Sequence, residues 1–127
     1  MKSQGWIYAA AGYNVALAVF HLGFWRLFRW REELAKLRPV NRGVMQVMNI
    51  MLIFLFLSMA ALLVGRAEEV SGTSLGRTLL IASTGFWLLR AMLQPLFWAS
   101  LPRTTNLAFA VLFLVGAGLH YLALRSA

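Results

Sequence analysis

The sequence predicts an all-α, polytopic integral membrane protein: an antiparallel up-down-up-down bundle of four transmembrane helices, with the first helix extended beyond the membrane. Three observations carry this. Hydrophobic residues make up 61% of the chain and charged residues 13%, whereas a soluble domain has about 45–50% and about 25%. The apolar residues fall in four long runs, not in amphipathic stripes. The runs are separated by short connections, which favour antiparallel neighbours. With 127 residues there is room for one domain, residues 1–127, and no second one.

Span 1 covers about residues 5–28, long for a bilayer that needs roughly 20 residues. Lys2 and Ala16-Leu17-Ala18 imitate a secretory leader, but the apolar run continues past Ala18, so it reads as an uncleaved span. Trp6, Tyr8 and Tyr13 near its start and Trp25 and Trp30 near its end fit interfacial aromatic belts. Beyond Phe28, Trp30, Leu34 and Leu37 recur at spacings of four and three among charges. That pattern predicts a helix continuing along the headgroups until Pro39 stops it.

Span 2 covers about 44–64, and residues 65–74 form a polar, turn-rich connection. Span 3 covers about 75–99 and contains Arg90, Gln94 and Pro95. Pro95 removes a backbone donor and frees a carbonyl one turn earlier, near Ala91. Span 4 covers about 106–124, with Thr104 or Thr105 as its N-cap. Ala9, Ala10, Ala11, Gly12, Gly116, Ala117 and Gly118 permit close helix contact.

The formal charge is +8, from 12 Lys+Arg against 4 Asp+Glu. In a soluble protein this would suggest nucleic acid. Here the cations flank the spans, where they set orientation, and no nucleic-acid partner is expected. Loops 1 and 3 hold Arg26, Arg29, Arg31, Lys36, Arg38, Arg42 and Arg103; the other side holds Lys2, Arg66, Arg77 and Arg125. The positive-inside rule then places loops 1 and 3 in the cytoplasm and both termini outside. The chain has no cysteine, which excludes disulfides, thiolate nucleophiles, iron–sulfur ligation and Cys-based zinc sites. Size and span count resemble those of many small bacterial four-span proteins, a likeness of shape that implies a bacterial plasma membrane.

Polar residues inside the spans are the candidate site, because they are costly there. At about 1.5 Å per residue, His21 and Arg90 lie roughly 10–12 Å, and Asn49 and Gln94 roughly 6–8 Å, from the cytoplasmic ends of their spans. Gln46 is shallower. Helical periodicity groups Ser83, Trp87, Arg90 and Gln94 on one face of span 3. It groups Asn14, Ala18, His21 and Trp25 on span 1, and Gln46 and Asn49 on span 2. The four acids Glu32, Glu33, Glu68 and Glu69 all lie in loops. The guanidinium therefore points to backbone and amide oxygens, or to an anionic or carbonyl-bearing ligand. The bland reading is that Arg90 snorkels and the amides bond between helices.

The expected function is binding the polar or anionic head of a lipophilic ligand, a lipid or quinone, by Arg90, His21, Gln46, Asn49, Gln94, Trp87, Trp25 and Asn14. The alternative is an accessory or assembly subunit, either homo-oligomeric or within a larger membrane complex. The lipid bilayer is a partner in every reading, and no cofactor or metal is assigned. A bis-histidine haem is disfavoured, since His21 and His120 differ in height by about 10–13 Å. A lipid-modifying enzyme would have His21 as its one intramembrane base and no acid–base pair, so no catalytic residue is assigned.

Overall fold

The computed structural model describes residues 2–127, with side chains described from Gln4. It is all-helical, 90% helix, with no strand among the described residues. Among the described residues seven α-helices follow in order: α1 Lys2–Leu22, α2 Phe24–Leu27, α3 Trp30–Glu33, α4 Pro39–Gly65, α5 Ala67–Gly72, α6 Ser74–Phe97 and α7 Arg103–Ser126. A 3₁₀ turn, Leu34–Lys36, lies between α3 and α4. Among the described residues, three helices are long and apolar enough to cross a membrane: α4, α6 and α7, with 27, 24 and 24 residues. At about 1.5 Å per residue they measure about 36–40 Å, more than the hydrocarbon core of about 30 Å. The chain divides into two compact units, Ala11–Leu62 and Met1–Ala10 with Leu63–Ala127.

In the Ala11–Leu62 unit the expected continuous extension of the first helix is not formed. The helix is interrupted at Gly23, resumes for one turn and ends at Arg29, which adopts the left-handed conformation with φ 50° and ψ 43°. The chain then folds back on an aromatic nucleus. Trp30 and Leu34 are buried, and the Trp30 ring meets Phe24 at 5.7 Å and Trp25 at 5.2 Å. Arg42 closes the segment by donating to the carbonyls of Leu34 (3.1 Å) and Leu37 (3.4 Å). The periodicity of Trp30, Leu34 and Leu37 is real, but it serves burial in a folded turn. Pro39 does not end a helix; it opens α4, where its fixed φ and missing N–H suit the first turn.

A left-handed arginine costs about 1–2 kcal/mol relative to an ordinary backbone. Its side-chain pair with Glu32 is solvent-exposed and contributes little. Arg29→Gly is therefore expected to raise stability by about 0.5–1 kcal/mol, read as a higher unfolding midpoint in detergent.

In the other unit, the connection between α4 and α6 is itself helical. Ala67 and Val70 of α5 are buried, and Thr73 caps α6 by accepting from the Gly76 N–H at 3.0 Å. The buried face of α6 is Gly76, Leu80, Ser83, Trp87, Ala91 and Gln94, spaced three and four apart as an inward stripe requires. It packs chiefly on α7, whose buried residues are Phe113, Gly116, Ala117, His120 and Ala123. Small residues let the backbones approach, as in membrane helix pairs. The helix α7 begins at Arg103 with Pro102 as its N-cap, two or three residues before the expected cap at Thr104 or Thr105.

Candidate functional site

Three of the expected site residues lie on α6, and the packing of α6 on α7 organises them. Trp87 and Gln94 are each 2% exposed, whereas Arg90 is half-buried. Trp87 stacks nearly parallel on Phe113 of α7, with centroids 6.1 Å apart and planes 10° apart. The Arg90 guanidinium carbon lies 4.1 Å from the centre of that same Phe113 ring. It also lies 4.7 Å from the centre of the Trp98 ring. Arg90 Nη1 donates to Gln94 Oε1 at 3.1 Å. Gln94, one turn on, is thus the amide that meets the charge.

This geometry refines the depth assigned to the charge. Trp98 caps the C-terminal end of α6, eight residues beyond Arg90. A guanidinium within van der Waals range of that ring lies toward the C-terminal end of α6, as a snorkelling cationic side chain would. Cation–π contacts of this kind are worth about 0.5–2 kcal/mol each, more when desolvated. No Asp or Glu occurs from Val70 to Ala127, so neither α6 nor α7 supplies a carboxylate. Two rings lie against the guanidinium, and its N–H donors point outward in its own plane. The edge they form matches carboxylate, phosphate or carbonyl oxygens bidentately.

Four further expected residues meet within the Ala11–Leu62 unit. Asn49 is 3% exposed and its Nδ2 donates to the His21 carbonyl at 3.0 Å. That carbonyl belongs to the last turn of α1, two residues before the interruption at Gly23. A side chain inserted into the helical ladder is a recognised cause of such a break. Asn49 Oδ1 is buried with no hydrogen-bond partner among the described residues. Trp25 Nε1 donates to Gln46 Oε1 at 3.4 Å, and Gln46 Nε2 reaches the Arg42 carbonyl at 3.4 Å.

His21 Nδ1 lies 2.8 Å from the Leu17 carbonyl. A carbonyl only accepts, so this nitrogen carries the proton. The imidazole stacks on Phe24, with centroids 4.4 Å apart, and meets Phe56 edge-on at 5.2 Å. Asn14 is buried on α1. His120 repeats the backbone bond of His21, with Nδ1 2.7 Å from the Gly116 carbonyl, and is fully buried.

Sequence reasoning overlooked both Phe113 and Trp98 as partners of Arg90. The only signal for Phe113 is its place on the inward stripe of α7, and that stripe does not reveal which residue of α6 it faces. Two open grooves are lined by none of the expected site residues. One, of about 550 Å³, is lined by Thr104, Thr105, Ala108, Phe109 and Leu112. The other, of about 400 Å³, is lined by Gln4, Tyr8 and residues 64–69. Compared with known proteins, the chain matches no family model, no curated protein and no solved structure.

Proposed function

We propose that this protein is an integral membrane protein that binds the polar or anionic head of a lipophilic ligand, a lipid or quinone, through the edge of the Arg90 guanidinium. The observation that carries the reading is the cation held against the Phe113 and Trp98 rings, with Gln94 hydrogen-bonded to it. A guanidinium held beside aromatic rings presents its N–H donors in one plane, which suits a planar oxygen pair. The apolar body of the ligand would lie along the exposed hydrocarbon of the spans, and its head would meet Arg90 at the depth of Trp98.

In this reading α1 is a fourth crossing. Its 21 residues measure about 31 Å, enough for the hydrocarbon core. Four crossings with short connections make the up-down-up-down arrangement expected from the sequence. Loops 1 and 3 carry most of the cations and are assigned to the cytoplasm.

The test is lipid and quinone co-purification, read by mass spectrometry of the protein isolated in mild detergent. Arg90→Leu is expected to reduce the bound species about tenfold or more, and Arg90→Lys to restore little, because a point charge lacks the planar edge. Equal co-purification by wild type and both variants would sink the reading. A stoichiometric protein partner recovered from native membranes, with no lipid retained, would replace it with the assembly-subunit alternative.

A further inference from the structure

The folded segment from Phe24 to Arg42 is strongly basic and lies apart from Arg90 in the chain. Its six cations outnumber its two acids, Glu32 and Glu33. Both acids are already engaged: Glu32 by Arg29, and Glu33 by Lys36 at 2.8 Å. The Lys36 ammonium holds the Glu33 carboxyl below its ordinary range, and Glu33 raises Lys36 in return. Arg42 is turned inward onto the carbonyls of Leu34 and Leu37. That leaves Arg26, Arg31 and Arg38, all exposed, with no ion pair to an acid among the described residues.

Large apolar side chains stand exposed on the same short segment: Leu27 at 58%, Phe28 at 43% and Val40 at 75%. Its interior, by contrast, is packed around Trp30 and Leu34. The segment is therefore not a slack linker. It is a small folded cap that displays cations and hydrocarbon together.

Its place along the chain says what it faces. Val40 lies in the first turn of α4. At about 40 Å, α4 matches the hydrocarbon core plus the headgroup regions, about 40–45 Å in all. The first turn of α4 and the cap that precedes it thus stand at headgroup level. Exposed Leu, Phe and Val there insert among acyl chains, while arginines grip phosphates. We infer that the Phe24–Arg42 cap is a docking surface for anionic phospholipid headgroups, with Arg26, Arg31 and Arg38 as the phosphate-binding side chains. An acidic protein would satisfy the arginines but would leave Leu27, Phe28 and Val40 with no hydrocarbon to enter.

The experiment titrates phosphatidylglycerol or phosphatidylcholine into the full-length protein in neutral detergent and follows binding by native mass spectrometry and thermal midpoint. Wild type is expected to prefer phosphatidylglycerol. The triple variant Arg26→Gln, Arg31→Gln, Arg38→Gln is expected to lose about tenfold or more of that affinity, since each arginine near an anionic surface is worth about 1 kcal/mol. A control triple, Arg77→Gln, Arg103→Gln, Arg125→Gln, removes exposed arginines elsewhere and is expected to retain the preference.

An equal loss in both triples would reduce the effect to net charge and overturn the inference. Stabilisation by inorganic phosphate, or by polyglutamate, equal to that by phosphatidylglycerol would also overturn it, in favour of a free anion or an acidic protein. If the triple variant does not fold, Arg31→Gln alone decides. An affinity for phosphatidylglycerol unchanged from wild type would overturn the inference, and a loss of about fivefold would support it. Because the cap arginines and Arg90 are mutated separately, failure of one reading leaves the other standing.

Discussion

Gly76→Ala is expected to lower the stability of this protein by about 1–3 kcal/mol, and a larger side chain there by more. A Cβ on Gly76 would stand 2.2 Å from the Val70 carbonyl oxygen and 2.4 Å from the Val70 Cα. Both are backbone atoms, so no rotamer change relieves the clash; α5 must be pushed off α6. The displaced helix would also draw away Val70 and Ala67, both buried, and disturb the Thr73 cap. Gly85, in the middle of the same helix, has open space where a methyl group would stand, with nothing within 4 Å. Gly85→Ala is therefore expected to be neutral or to stabilise by about 0.5–1 kcal/mol through helix propensity. Thermal midpoints of the two variants in one detergent test the contrast, and similar midpoints would refute the close approach of α5 to α6.

Asn49→Asp is expected to be the most damaging single-atom-scale change, by about 3 kcal/mol or more. The Asn49 amide donates to the His21 carbonyl, and that carbonyl can only accept. The amide orientation is therefore dictated by its partner. A carboxylate there would turn an oxygen toward another oxygen and bury a charge at a site 3% exposed. Asn49→Ala removes the same donor without adding charge, and is expected to cost about 1–2 kcal/mol. The loss is offset in part because the buried Oδ1, which has no partner among the described residues, goes with it. Limited proteolysis in the Phe24–Arg42 segment adds a local readout, since loosening the His21–Asn49 bond should expose the chain around Gly23. A variant as stable as wild type would show that this bond does not hold the end of α1.

That α4, α6 and α7 are long and apolar enough to cross a membrane was legible from length and composition, because burial in lipid demands long apolar runs whatever the tertiary arrangement. The inward face of α6 was also legible. Ser83, Trp87 and Gln94, grouped by helical period alone, are buried together. The ends of α6 and α7 fall within three residues of the expected span edges, whereas α1 ends six residues before residue 28 and α4 begins five before residue 44. The segment after Phe28 was not legible. Its apolar spacing of four and three suits a helix, yet one left-handed residue, Arg29, and a ring cluster around Trp30 turn it into a folded cap. Arginine carries no local preference for that conformation, so tertiary packing had to impose it.

By itself, then, the sequence determined that α6 and α7 can offer Arg90 only oxygens and rings, because no acid occurs anywhere from Val70 to Ala127. Tertiary structure alone decided which. Gln94 lies one turn away on the same helix and could be anticipated, since neighbours four apart meet on a helix surface. Phe113 belongs to another helix, and its distance from Arg90 depends on how α6 and α7 slide and rotate against each other. Periodicity sets which face of a helix turns inward, whereas the pairing of residues across that face is fixed only when two helices pack.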